Sequence, residues 1–312
     1  MVAMLLRRLG LSIPVLLGVM VFGFLLLQMV PGDPAVVLAG PIAPPDVVEQ
    51  IRKSMGLDQP VIVQFWMYFE RILSGDLGRS LISNKPVTDE LAAAIGPTIE
   101  LMVACLIWSI PLGIAMGTVA AMKRGSLVDR GIMALSVAGV SLPVFFICLL
   151  LIQLFGMTFR WFPFVGRGGP VWTLEGLRHI ALPALSLGMV FIGPVARMTR
   201  SSVLEVLKLD HVRTARAKGL TERAVVVRHA LRNALIPVVT LVGLQAGYLL
   251  GGAVVTETIF SWPGVGRLAV GGILSSDFTI AQGCILVMAL TFIAINLIVD
   301  ILYSVLDPRV QK

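Results

Sequence analysis

The sequence predicts an all-α integral membrane protein with six transmembrane helices, on three observations. Hydrophobic residues make up 57% of the 312 positions and charged residues 14%, with a mean hydropathy of +0.91, far from the balance of soluble domains. Six apolar runs, at 9–30, 98–122, 128–157, 179–198, 234–256 and 279–306, approach or exceed the roughly 20 residues that a helix needs to cross the hydrocarbon core. Lysine and arginine divide unevenly between the joining segments. With the N-terminus inside, 16 of the 25 fall on the inner side, and five of the outer nine lie in one long loop that counts little. Both termini are therefore expected in the cytoplasm. The chain divides into a first helix with a long outer loop, 1–97, and a five-helix core, 98–312, that carries a basic cytoplasmic loop at 197–233.

The first run follows Arg7-Arg8 as a signal peptide would, but it is too long for a typical signal core and ends sharply at Pro31-Gly-Asp-Pro34, so it reads as a retained span. The loop after it carries two helix signals. Asp46-Val-Val-Glu49 has the form of a capping box for a helix ending near Gly56, and Pro60 can open another that stops at Ser74-Gly75. The second holds Phe65, Trp66, Tyr68 and Phe69, with Phe65, Phe69 and Ile72 at helical spacing. Such a face suits the lipid headgroups; a cap over a pore, or a platform for an external binding protein, is the alternative.

Prolines 14, 111, 143, 183, 194 and 237 lie in or beside the first five runs. Each frees a backbone carbonyl and can kink its helix, a feature of helices that line cavities. Gly243-x-x-x-Gly247-x-x-x-Gly251 puts three positions without side chains on one face, and Gly113-x-x-x-Gly117 repeats the device; both predict close helix packing, within the chain or against a second subunit.

The polar segment between the fourth and fifth runs is the most informative. Ser202-Val-Leu-Glu205 resembles a capping box, Asp210 can cap a second helix that Gly219 ends, and Thr221 can cap a third leading to Pro237. The middle helix has about two turns, too few to stand alone, so neighbours or a partner must hold it. Ala215 and Ala217 keep its surface small enough to enter a groove, and Arg213, Arg216 and Lys218 can meet acidic groups around it. Nine basic against three acidic residues also suit an anchor for anionic lipid, and charge alone favours that reading. The capped two-turn geometry favours docking.

Other classes find less support. Cys105, Cys148 and Cys284 lie in apolar runs with neither Cys-x-x-Cys spacing nor a nearby histidine, which argues for buried thiols and for no metal site. The basic residues are not interleaved with exposed aromatics, so no nucleic acid is expected despite a net charge of +7. No catalytic residues are assigned: His179, His211 and His229 fall at span edges or in the basic loop, away from any mid-span nucleophile. An ion-coupled secondary transporter would need a membrane carboxylate such as Glu257 or Asp300, without the acid pair or inverted repeat that would support it. No Gly-x-x-x-x-Gly-Lys-[Ser/Thr] loop is present, so ATP and its Mg are not expected in this chain.

An ordered set of motifs resembles the membrane permeases of binding-protein-dependent ABC importers, in their dipeptide, oligopeptide and nickel branch. They are Arg-Arg-Leu at 7–9, Pro-Gly-Asp-Pro at 31–34, Gly-Leu-Asp-Gln-Pro at 56–60, Gly-Asp-Leu-Gly-Arg-Ser at 75–80, Ala-Arg-Met-Thr-Arg-Ser-Ser at 196–202, Arg-Thr-Ala-Arg-Ala-Lys-Gly-Leu at 213–220, His-Ala-Leu-Arg-Asn-Ala at 229–234, Thr-Glu-Thr-Ile-Phe-Ser-Trp-Pro-Gly at 256–264 and Asp-Pro-Arg at 307–309. The resemblance implies a type I importer permease, multi-pass in a bacterial inner membrane, with the 31–97 loop in the periplasm. It implies that the middle helix is the coupling helix of an EAA-type loop, seated in a cleft of an ATPase subunit. Arg213, Thr214 and Ala215 then occupy the Glu-Ala-Ala places, followed by Arg216, Ala217 and Lys218, with Gly219 as the loop glycine. Two departures, the lost leading acid and Leu231-Arg232 in place of Leu-Pro, bear on the ATPase contacts. The implied partners are a second homologous permease, as a rule a different chain, two cytoplasmic ATP-binding subunits, and a periplasmic or lipid-anchored binding protein. Small peptides, including glutathione-like ones, are the implied cargo, with nickel complexes as the alternative.

Overall fold

A computed structural model describes residues 2–29, 34–40, 42–54 and 56–306, and among these the regular structure is helical. Residues 31–33 of the first proline-rich motif, the Asp307-Pro308-Arg309 motif and Lys312 lie outside the described residues. The helices run α1 (Val2–Met29), α2 (Pro34–Ala39), α3 (Pro45–Ser54), α4 (Val61–Leu73), α5 (Val87–Met122), α6 (Leu127–Ser141), α7 (Val144–Leu151), α8 (Leu174–Val206), α9 (Asp210–Ala217), α10 (Glu222–Ala224), α11 (Leu231–Ile259), α12 (Val265–Leu274) and α13 (Phe278–Leu306). Ile152–Thr158 extends α7, and Val225–Ala230 joins α10 to α11, both as π-helix. Among the described residues, five helices are long and apolar enough to span a membrane, and α6 with α7 and its π-helical extension make a sixth candidate.

That sixth candidate is not the straight span that its hydropathy predicts: its halves meet at 103°. Pro143 has no N–H to continue the α6 ladder and pushes the preceding residue out of the helical region, so Leu142 is extended at φ −84°, ψ 128°. The predicted fifth run also changes form. α10, the π-helical stretch and α11 follow one another from Glu222 to Ile259, so the third helix of the basic loop leads to Pro237 as expected and continues past it as the membrane span.

The described residues form two compact units, one within 2–98 with 263–293, the other of 99–262 with 294–306. In the first, α4 forms as Pro60 and Ser74 predict, and Gly75 takes the left-handed conformation, φ +78°, that ends it. α3 starts one residue before Asp46, which sits inside the first turn, and Glu49 pairs with Arg52 at 3.3 Å. The aromatic face of α4 packs on α1 through Met20, Phe24 and Tyr68 while Trp66 stays 56% exposed. Burial pushes the Tyr68 phenol up to about 12, so it stays neutral. Elsewhere in this unit the buried Asp277 carboxylate accepts from the Ser80 hydroxyl at 2.5 Å and caps α13 through the Ile280 N–H at 3.2 Å.

The second unit is built around α8, 61% of whose apolar window is buried, the highest share of any span. Its neighbours approach through glycine. A Cβ on Gly117 of α5 would come within 2.6 Å of Thr199 Cβ and closer still to the Ala196 carbonyl, and one on Gly113 within 2.8 Å of Val195. Gly188 of α8 receives the face of Trp108, whose indole N–H donates to the Ala184 carbonyl at 3.1 Å. Gly193 lies against the Ser136 carbonyl of α6. Of the predicted α11 stripe, Gly243 lies against Val299 of α13, Gly247 is buried, and Gly251 is exposed with nothing within 4 Å of a Cβ. The core between these helices gathers Leu101, Cys105, Leu187, Phe191, Val238 and Trp262.

Candidate coupling site

The basic loop begins where α8 ends. Ser202 opens no helix: α8 runs on through it to Val206, and Ser202 is buried. A tight turn follows, with the N–H groups of Leu207 and Leu209 donating to the carbonyls of Val203 and Val206, both at 3.0 Å. Leu209, not Asp210, is the N-cap of α9; Asp210 is its first helical residue. There it complements the positive end of the helix dipole, as Arg216 does the negative end.

α9 has the two predicted turns, and its neighbours hold it. Val212 and Ala215 point inward, 0% and 5% exposed, and pack with Ala121, Val203, Val206, Val225, Val226, Ala230 and Ala234. Ala215 therefore fills the chain's own core rather than its outer surface. The residues left outside are His211, Arg213, Thr214, Arg216, Ala217 and Lys218. Gly219 closes the helix at φ +79°, its N–H donating to the Arg216 carbonyl at 2.9 Å. Thr221 then caps α10 as predicted, accepting from the Ala224 N–H at 3.4 Å.

Two of the loop's arginines, both on α9, pair with acids of the loop itself. Arg216 donates from Nε and Nη2 to the two Glu222 oxygens, at 2.6 and 3.2 Å, and from Nη1 to the Leu207 carbonyl at 3.5 Å. This staple ties the last turn of α9 to the helix that follows and to the turn that precedes α9, and its hydrogen bonds, that to Glu222 foremost, hold the guanidinium above its ordinary range. Arg213 pairs with Asp210 at 3.3 Å, and Thr214 donates to the Asp210 carbonyl at 3.0 Å. The exposed face is thus a small, largely neutralised ridge flanked by Lys218.

Two further ion pairs of this unit escaped sequence reasoning. Arg200 of α8 donates from Nε and Nη2 to both oxygens of Asp129 in α6, at 2.6 and 2.8 Å, and Asp129 also accepts from the Gly125 N–H at 2.9 Å. Arg167, in the connection before α8, forks onto Glu100 of α5 at 2.9 and 2.6 Å. The only available signal was that acids at the edges of apolar runs require partners, which does not say which cation answers. Glu257, a candidate ion carrier, lies fully buried in α11, its backbone carbonyl accepting from the Trp262 N–H at 2.8 Å.

The fold and the sequence agree on the class. Residues 109–312 match the family described as "Binding-protein-dependent transport system inner membrane component", and residues 1–88 match its N-terminal component. The chain belongs to this family: it is an inner-membrane permease of an ABC importer, not itself an enzyme, and membership implies ATPase and substrate-binding partners. Among its relatives are the glutathione transport system permease protein GsiC of Escherichia coli (strain K12) and that of Salmonella typhimurium, each 45% identical over 305 residues, 98% of this chain and 97% of theirs. A solved structure of the MetNI methionine ABC transporter in an inward-facing conformation matches with a TM-score of 0.58 at 16% identity, over 70% of this chain and 96% of that one, and shares the fold.

Proposed function

We propose that this permease forms half of the path for small peptides, glutathione-like ones among them, delivered by a periplasmic binding protein, with a second, non-identical permease as the other half. The likeness to GsiC over nearly the whole chain supports the cargo class. Both termini and the α9 loop face the cytoplasm, as the distribution of basic residues requires. ATP and Mg reside in two partner ATPase subunits, and Arg213, Thr214 and residues 216–219, the exposed part of the 213–219 segment, are what they grip.

The observation that carries the docking reading is the build of α9. Its inward face is sewn into the chain by Val212 and Ala215, its last turn is stapled by Arg216, and the short exposed ridge is rigid with α8. On α9 itself Arg213 and Arg216 both face acids of their own loop, unlike the free cations of a lipid anchor. Replacing Arg213 and Arg216 together by Glu is expected to remove the ATPase subunits from the purified complex while the permease remains inserted. Unchanged copurification would favour the lipid-anchor reading.

A further inference from the structure

We propose that Arg200 and Asp129 are positioning residues that carry movement of α9 to the bent α6–α7 pair; the inference rests on α9 being the ATPase-coupling helix. The mechanical path has three links. α9 is continuous with α8 through the turn at 207–209, and Val212 and Ala215 lock against Val203 and Val206, so these two helices move as one piece. Arg200, six residues before the end of α8, grips Asp129 with two parallel hydrogen bonds. Asp129 lies in the first turn of α6, whose N-cap Ser126 also holds the Asp129 N–H at 3.3 Å, and its carboxylate fixes the Gly125 N–H in the preceding turn.

Beyond that grip α6 has little freedom to slide. Gly193 sits against the Ser136 carbonyl with Val140 at 3.1 Å from its Cβ position, and Gly139 against the Met189 carbonyl at 3.2 Å. A displacement delivered at Asp129 therefore runs along α6 to the Leu142–Pro143 break, where the hydrogen-bond ladder is already interrupted and the 103° angle can change. The side chains of Asp129 and Arg200 are 6% and 27% exposed. The planar two-bond geometry of the pair fixes position and direction as well as charge, and so can transmit both.

The test uses the complete complex, with its second permease, ATPase subunits and binding protein, in lipid bilayers. Spin labels at Leu135 of α6 and Leu244 of α11, both largely exposed, report the inter-helix distance with and without ATP and vanadate. A photoreactive label at Ala217 reports contact with the ATPase. In the parent complex the label is expected to crosslink and the distance to change with nucleotide. In Asp129→Asn the crosslink is expected to persist while most of the distance change disappears, with uptake falling about tenfold, an ordinary coupling energy. The exchanged pair Asp129→Arg with Arg200→Asp should recover the distance change and serves where the single variant does not assemble. An unaltered distance change in Asp129→Asn, no change in the parent, or an exchanged pair that recovers nothing overturns the inference. A missing crosslink in the parent overturns the docking reading, and this inference with it.

Discussion

At the residue scale, the positions that matter are those where geometry leaves one side chain a choice of one. Gly219 is left-handed, yet a Cβ there would meet nothing within 4 Å, so the demand is on the backbone alone. Asparagine tolerates this conformation and valine does not, the latter costing about 1–3 kcal/mol of strain. Gly219→Asn should therefore keep most uptake and Gly219→Val should lose it, with both proteins present at normal levels in membranes. Equal loss in both would point to a contact at this position rather than to its conformation. Sequence reasoning found Gly219 because turn chemistry is local. It misplaced Ala215, since nothing local says which side of a two-turn helix a partner covers and which side the chain itself does.

At the element scale, the α6–α7 break and the long α8 decide how the helices can move. Pro143 was visible as a proline but not as a 103° corner, because the kink at a proline depends on what neighbouring helices offer the freed carbonyls. Pro143→Ala restores the missing N–H and is expected to extend α6 toward α7. Transport should fall while insertion and ATPase attachment persist, and distances between labels on the two halves should lengthen. The π-helical stretch at Val225–Ala230 was likewise illegible: it turns the buried face from Val225 and Val226 under α9 toward Ala234 of α11, a register set by packing. The glycine pairs of α5 were legible as close-packing devices, but their partner, the Val195–Arg200 stretch of α8, was not. Gly117→Val should cost stability and expression, since Thr199 and the Ala196 carbonyl stand where its side chain would go; thermal unfolding of the detergent-purified complex would measure that cost.

At the scale of the whole molecule, family membership and fold make this chain one component of an importer whose energy source lies elsewhere. Uptake in vesicles is accordingly expected to require ATP inside and the binding protein outside, and to continue when the proton gradient is collapsed. Abolition by an uncoupler with ATP held constant would revive a role for a membrane carboxylate. What the sequence determined by itself was everything that depends on the chain's own solvent preferences and local backbone chemistry: the membrane class, the apolar runs, α3 and α4, the short α9 and its glycine stop. Tertiary structure alone decided which of those runs is bent, which face of α9 turns inward, and that Arg200 answers Asp129. Those outcomes are set by contacts between residues far apart in sequence, where many pairings satisfy the same hydropathy and only packing, with its demand that buried charges and carbonyls find partners, selects one.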